Sequence, residues 1–251
     1  MSNHSINLAL HLADNTLILA QRNGEWCAHG PILEQDIAIT NITLDLIGQS
    51  RNFYQYAASL INENGRNADV ATEDTLAYLR KEREFMNCLL VELPNGDWAQ
   101  TVLRQFLFSV YQSLLFQELQ KGKDEQMSAI AAKSLKEVAY HIKWSSEWVI
   151  RLGDGTAESE ERMKTALNNL WPYTGELFIQ EPYESTLGIQ PDKFKQTWLE
   201  VVKVVLDEAS LEIPSFAFMQ SGGKHGIHTE HLGFLLAELQ YLQRTYPGAE
   251  W

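Results

Sequence analysis

The sequence predicts an all-α fold assembled around a bundle of long helices, and three observations carry that reading. Apolar residues recur at three- and four-residue steps from one end of the chain to the other. No segment sustains the alternation with β-branched enrichment that marks a half-buried strand. Clusters of Gly, Pro, Asn and Asp fall between the periodic stretches, where they punctuate helices.

Taken in order, an amphipathic helix is expected between Ile6 and Ala20. After Pro31, Ile39, Ile42, Leu46, Phe53, Ala57 and Leu60 trace one apolar stripe through a helix of about thirty residues. Asn62 to Glu73, rich in Gly, Asn and Asp, reads as a loop. A second long helix is expected from about Thr75 to Glu92, ended by Pro94-Asn95-Gly96. Asp97 followed by Gln100 resembles a capping box and opens a third, with Val102, Phe106, Val110 and Leu114 on its inner face, up to about Gln120. Gly122 breaks it, and a fourth starts near Asp124, carrying Ile130, Leu135, Val138, Ile142, Val149 and Leu152 as far as Gly153-Asp154-Gly155. Shorter helices are expected at Glu158 to Leu170 and at Pro191 to Ala209, the proline suiting a first helical turn. The last starts near Thr229 with the stripe Leu232, Leu236, Leu239 and Leu242. Seven or eight helices result, four long ones in succession, which suggests a bundle. No repeat, low-complexity tract or long linker divides the chain, so a single domain over 1–251 is expected.

Composition narrows the function. The 33 acidic residues exceed the 20 basic ones, and the formal charge of -13 repels polyanions, which argues against nucleic acid as a partner. Basic clusters at Arg80-Lys81 and at Lys133 with Lys136 read as solvated helix faces. Cys27 and Cys88 lack disulfide-framework or metal spacing and are expected as reduced, packed thiols. No apolar run reaches a membrane span and no signal-peptide pattern opens the chain, so a soluble, cytoplasmic protein is expected.

Long bundles often hold a di-iron centre, whose ligands include Glu-x-x-His pairs because residues three apart share a helix face. No Asp or Glu in this chain has a His three residues later. Glu25 with His29 and Glu137 with His141 are four apart. Glu84 with Asn87 has the interval but the wrong second ligand, and Asp45 lies in a polar row with Asn41, Gln49 and Asn52. Such a set leaves iron under-ligated. Asp45, Glu84, Asn87 and His141 are therefore read as candidates for a vestigial site, with Asp45, Asn87 and His141 expected in a buried polar network. Near the C-terminus, His225, His228 and His231 follow Gly222-Gly223-Lys224. The cluster resembles a zinc set or a phosphate loop only superficially, because it lacks the motif spacing and the preceding strand. Lys224, His225, His228 and His231 are read as a structural loop that is also a candidate ligand contact, with Thr229 capping the last helix.

Four passages together resemble the C-subunit family of the phenylacetyl-CoA epoxidases. They read RNGEWCAHGPILEQDIAITNITLDLIGQSRNF from Arg22, EFMNCLLVELPNGDWAQTVLRQF from Glu84, KEVAYHIKWSSEWVIRLGDGT from Lys136 and SGGKHGIHTEHLGFLLAELQYLQ from Ser221. The last is the most specific, since no generic bundle demands it. The resemblance implies a ferritin-like helical bundle with additional C-terminal helices and a non-catalytic role, with no catalytic, cofactor-binding or metal residue in this chain. It implies a catalytic A subunit with two irons as partner and a small B subunit joining A–C pairs. Electrons would come from NADPH through a reductase with FAD and an iron–sulfur centre, and phenylacetyl-CoA could itself contact this chain. Apolar residues on more than one side of the first long helix, Ile39, Leu44 and Ile47, mark a candidate docking face. Two other readings stay open: an autonomous di-metal oxidase with irregular ligands, and a free-standing acyl-CoA-binding module.

Overall fold

A computed structural model describes residues 3–65, 70–216 and 218–249, and regular structure among them is helical throughout. In chain order the α-helices are α1 (Asn3–Gly24), α2 (Leu33–Glu63), α3 (Glu73–Tyr78), α4 (Leu89–Glu92), α5 (Trp98–Leu119) and α6 (Glu125–Gly153). They continue with α7 (Ala157–Leu170), α8 (Pro182–Thr186), α9 (Phe194–Glu208), α10 (Glu230–Leu239) and α11 (Tyr241–Thr245). Short 3-10 turns link several of them. The expected loop after α2 is clasped at its ends, where the Asn62 amide exchanges two hydrogen bonds with the main chain of Ala71; its part at 66–69 lies outside the described residues. So does Trp251.

The chain packs into two compact units, one of Met1–Pro94, Glu181–Leu187 and Gly222–Trp251, the other of Asn95–Gln180 and Gly188–Ser221. In the first, α2 lies along α1. It buries Ile39, Ile42, Leu46, Phe53, Ala57 and Leu60, the stripe its periodicity predicts, each stabilising the fold by about 1–3 kcal/mol. Ser50 Oγ adds a bond to the Ala13 carbonyl, 3.1 Å away. Helix α3 packs on α2, and α4 and α8 pack on α1.

The expected helix from Thr75 to Glu92 does not form. Helix α3 stops at Tyr78, a 3-10 turn occupies Glu82–Glu84, the backbone runs extended at Phe85 and Cys88, and only α4 is helical again. The reason is tertiary, because the polar groups of that extended backbone bond to side chains of α1 and gain nothing from a helical ladder. Helix α1 is correspondingly longer than expected and is one of the four long helices, with α2, α5 and α6. The final stripe is interrupted too. Leu232 and Leu236 are buried, but the helix breaks after Leu239 and leaves Leu242 exposed. At the break, buried Gln240 donates to the carbonyls of Ala77 and Arg80.

In the second unit the starts of α5, α6 and α7 are capped locally, the first two at the residues the sequence marks, whereas Pro191 opens a 3-10 turn and α9 begins at Phe194. Asp97 Oδ1 accepts from the Gln100 N–H, Asp124 Oδ1 from that of Met127 and Thr156 Oγ1 from that of Ser159. Helix α5 is buried almost all round, not on one face alone: Leu103, Leu107 and Tyr111 are as enclosed as Val102, Phe106 and Val110. Helix α9 buries Phe194, Trp198, Val202 and Leu206 at four-residue steps. Trp198 meets Phe178 edge-on at 5.3 Å and donates its indole N–H to the Leu107 carbonyl.

Candidate functional site

The apolar run of α1 carries three polar residues at three- and four-residue spacing, His11, Asp14 and Asn15, all buried. This row faces the extended segment after α3. His11 Nδ1 donates to the Met86 carbonyl at 2.7 Å, Asp14 Oδ2 accepts the Met86 N–H at 2.8 Å, and Asn15 Oδ1 accepts the Cys88 N–H at 2.8 Å. Burial, with the nearby Lys224 ammonium, lowers the His11 pKa to about 3, so the imidazole is neutral and Nδ1 carries its proton. Asp14 also accepts from the Tyr54 hydroxyl and pairs with Arg80, whose guanidinium lies 4.2 Å from the centre of the Phe85 ring. Burial and the Asp14 charge push the Tyr54 phenol well above its ordinary pKa, which keeps it a donor. Arg80 is therefore no solvated surface charge, contrary to the expectation for Arg80-Lys81.

A second set of contacts binds the C-terminal loop. Glu92 is fully buried at the end of α4. Its Oε1 accepts the Thr229 N–H at 2.6 Å, and its Oε2 accepts from Asn87 Nδ2 and from His228 Nδ1, each at 2.8 Å. Its main-chain carbonyl accepts from Arg22 Nε and Nη2 at 3.0 and 2.8 Å. Lys224 is buried and reaches both oxygens of Glu184, at 3.2 and 3.3 Å, while exposed His225 meets Glu181 at 3.0 Å. Burial raises the Glu184 pKa, and Lys224 opposes the rise. Glycine makes this docking possible: a side chain at Gly223 would strike the Asn87 carbonyl, and one at Gly226, where φ is +74°, the Arg83 carbonyl.

The residues singled out in the sequence thus part company. Lys224, His225 and His228 each face a different glutamate, and the His231 carbonyl accepts from Arg22; the three histidines do not converge. Thr229 precedes α10, but its hydroxyl makes no capping bond; its backbone N–H donates to Glu92. Glu84 is exposed and caps the 3-10 turn through the Lys81 N–H, whereas Asn87, three residues on, is buried against Glu92, so the interval does not put them on one helical face. Asp45 is half-buried on α2. His141 is buried on α6 in the other unit. Cys88 is buried as expected, but Cys27 is exposed in the turn after α1. Among the described residues no three His, Cys, Asp or Glu side chains come together as a metal site requires, so the donors present do not fit a di-iron centre. The sequence reading missed His11, Asn15, Tyr54, Glu92 and Glu184. The available signal was the polar row at 11, 14 and 15, on one face of a run that is apolar but for Thr16.

These helices define a ferritin-like bundle protein. The solved structure of protein 19 with aldehyde deformylating oxidase activity from Synechococcus superposes with a TM-score of 0.53, covering 84% of this chain and 88% of that one at 14% identity. Sequence comparison is more specific: the family described as phenylacetic acid catabolic protein matches residues 1–251. The C subunit of the 1,2-phenylacetyl-CoA epoxidase from Escherichia coli (strain K12) is 46% identical over 247 residues, 96% of this chain and 97% of that protein. The chain belongs to the phenylacetic acid catabolic protein family.

Proposed function

We propose that this chain is the C-type subunit of a phenylacetyl-CoA epoxidase complex and that it holds an iron-bearing A subunit in place without performing chemistry itself. The observation that carries the reading is the outer face of α2. Leu33, Ile37, Leu44 and Ile47 lie in one stripe, 72, 52, 60 and 40% exposed, opposite the face that packs on α1. Contiguous apolar exposure of this kind marks an interaction surface. Beside the stripe is Gly48, in mid-helix, where an added Cβ would meet nothing within 4 Å. Nothing within this chain calls for a glycine there, although it costs a helix about 1 kcal/mol relative to alanine. A closely packed partner helix accounts for both. Ile39, grouped with Leu44 and Ile47 as a docking candidate, is buried against α1 and is not part of the surface.

The relative's name and the use made of the acidic and imidazole side chains support the same reading. Glu92, Glu184 and Glu181 are occupied with His228, Lys224 and His225, so the groups best suited to acid–base work serve to fix a loop. In this reading the two irons belong to the A subunit, a reductase with FAD and an iron–sulfur centre brings electrons from NADPH, a B subunit joins A–C pairs, and phenylacetyl-CoA is the substrate of the assembly.

The test is co-expression with an A-subunit homologue, with and without this chain, followed by iron analysis and a phenylacetyl-CoA turnover assay. The expected result is well under one iron on this chain alone, and turnover that is lost on its omission and restored on its return. Two irons retained by the isolated chain, with dioxygen-dependent turnover, would replace the scaffold by an autonomous oxidase.

A further inference from the structure

His228 has surroundings that suit a doubly protonated ring. Its side chain is wholly buried, with Nδ1 2.8 Å from Glu92 Oε2 and Nε2 2.9 Å from the Phe85 carbonyl oxygen. A carbonyl can only accept, and so can a carboxylate. The Thr229 N–H and Asn87 Nδ2 also donate to Glu92, an arrangement that suits a carboxylate. Both ring nitrogens must then donate, so the ring is an imidazolium. With Glu92 as the carboxylate, a neutral ring would turn a lone pair toward one of two buried acceptors.

The two acceptors stand at opposite ends of the Phe85–Glu92 segment, so one ring spans it. The loop that carries the ring brings few side chains of its own: Gly222, Gly223 and Gly226 have none and Ile227 is 69% exposed, although Gly223 and Gly226 lie close against the backbone of Asn87 and Arg83. Its side-chain and main-chain anchors include Lys224 on Glu184, His225 on Glu181 and the Thr229 N–H on Glu92. We propose that His228 is a proton-dependent latch, which as an imidazolium fastens the loop of residues 222–229 across the Phe85–Glu92 segment and on losing one ring proton lets that loop open.

The surrounding charges agree with this role. Burial alone would favour the neutral ring, but the hydrogen bond and charge of Glu92, the Phe85 carbonyl and the more distant Asp14 outweigh it and raise the His228 pKa. The positive groups on the neighbouring elements are directed elsewhere: Arg80 at Asp14, Arg22 at the Glu92 main-chain carbonyl and at Glu25, and Lys224 at Glu184. His225, on the same loop, is turned toward Glu181, and Glu230 and His231 follow on α10. Because the closed-state pKa is the higher one, the latch contributes its full stability below the ordinary imidazole value and loses it as pH rises through the raised value.

The test uses the intact chain. Long-range nitrogen NMR of the ring should show both nitrogens of His228 protonated at about pH 7, above the ordinary imidazole value. Hydrogen exchange of the amides of residues 223–229, corrected for intrinsic rates, should show opening that rises about tenfold per pH unit between the ordinary and the raised value and then levels off. His228→Gln, which can still donate to Glu92 but does not titrate, should flatten that dependence. A single-protonated ring at about pH 6, or the same slope in His228→Gln, defeats the proposal. If the variant fails to fold, the wild-type ring spectrum decides by itself.

Discussion

Gly223 and Gly48 show how one residue type answers to opposite circumstances. At Gly223 a methyl group would collide with a main-chain carbonyl and also lie 3.0 Å from the Leu89 nitrogen, and no rotamer change relieves a backbone clash. Gly223→Ala is therefore expected to lower stability by at least about 3 kcal/mol in denaturant unfolding, the range of severe overpacking. Gly48→Ala is expected to gain up to about 1 kcal/mol in the isolated chain, since the added group meets nothing there. The sequence marked the Gly222–Gly226 loop as distinctive but could not say why. Its glycines answer to Asn87 and Arg83, far away along the chain, and no local pattern encodes that approach. The same limit applies to Lys224, which reads as a candidate ligand contact until the fold brings Glu184 to it.

Among the elements, those whose ends are capped by their own neighbours were legible. Asp97 and Asp124 announce α5 and α6 because capping is completed within three residues, while α7, expected from Glu158, starts one residue earlier behind its Thr156 cap. The stretch from Thr75 to Glu92 was misread because its backbone partners belong to α1, and local propensity yields to such tertiary bonds. Asp14 is the centre of that arrangement, joined to the Met86 N–H, Tyr54 and Arg80. Asp14→Ala should cost about 3–5 kcal/mol in chemical denaturation, because it strands a buried guanidinium and a buried N–H. Hydrogen exchange should place the earliest loss of protection at residues 85–88. Unchanged protection there would mean that the extended segment is held by packing alone. The candidate site was half legible for the same reason: Asn87 and His141 were correctly seen as inward-facing, but spacing on a presumed helix wrongly grouped Glu84 with Asn87.

For the whole molecule, the decisive quantity is apolar surface left over after folding. With a formal charge of -13, the chain repels other acidic proteins at long range, so close association with an acidic partner depends on local apolar contact. On α2, acidic Glu34 and Asp36 sit at the N-terminal end of the stripe, where they also complement the helix dipole. Leu44 and Ile47 lie farther along it, exposed, so replacing both with glutamate should change the stability of the isolated chain by no more than about 0.5 kcal/mol per site. If the stripe docks the A subunit, the same pair should weaken association by at least about 30-fold, as loss of a central apolar anchor does. Lysine at both positions separates the causes. Apolar burial predicts equal loss with either sign of charge and weak dependence on salt, whereas charge pairing predicts that one sign restores binding at low ionic strength and that salt abolishes the difference. Full association and turnover with both double variants would remove α2 as the docking face, while leaving the assignment of the chain to the omission experiment.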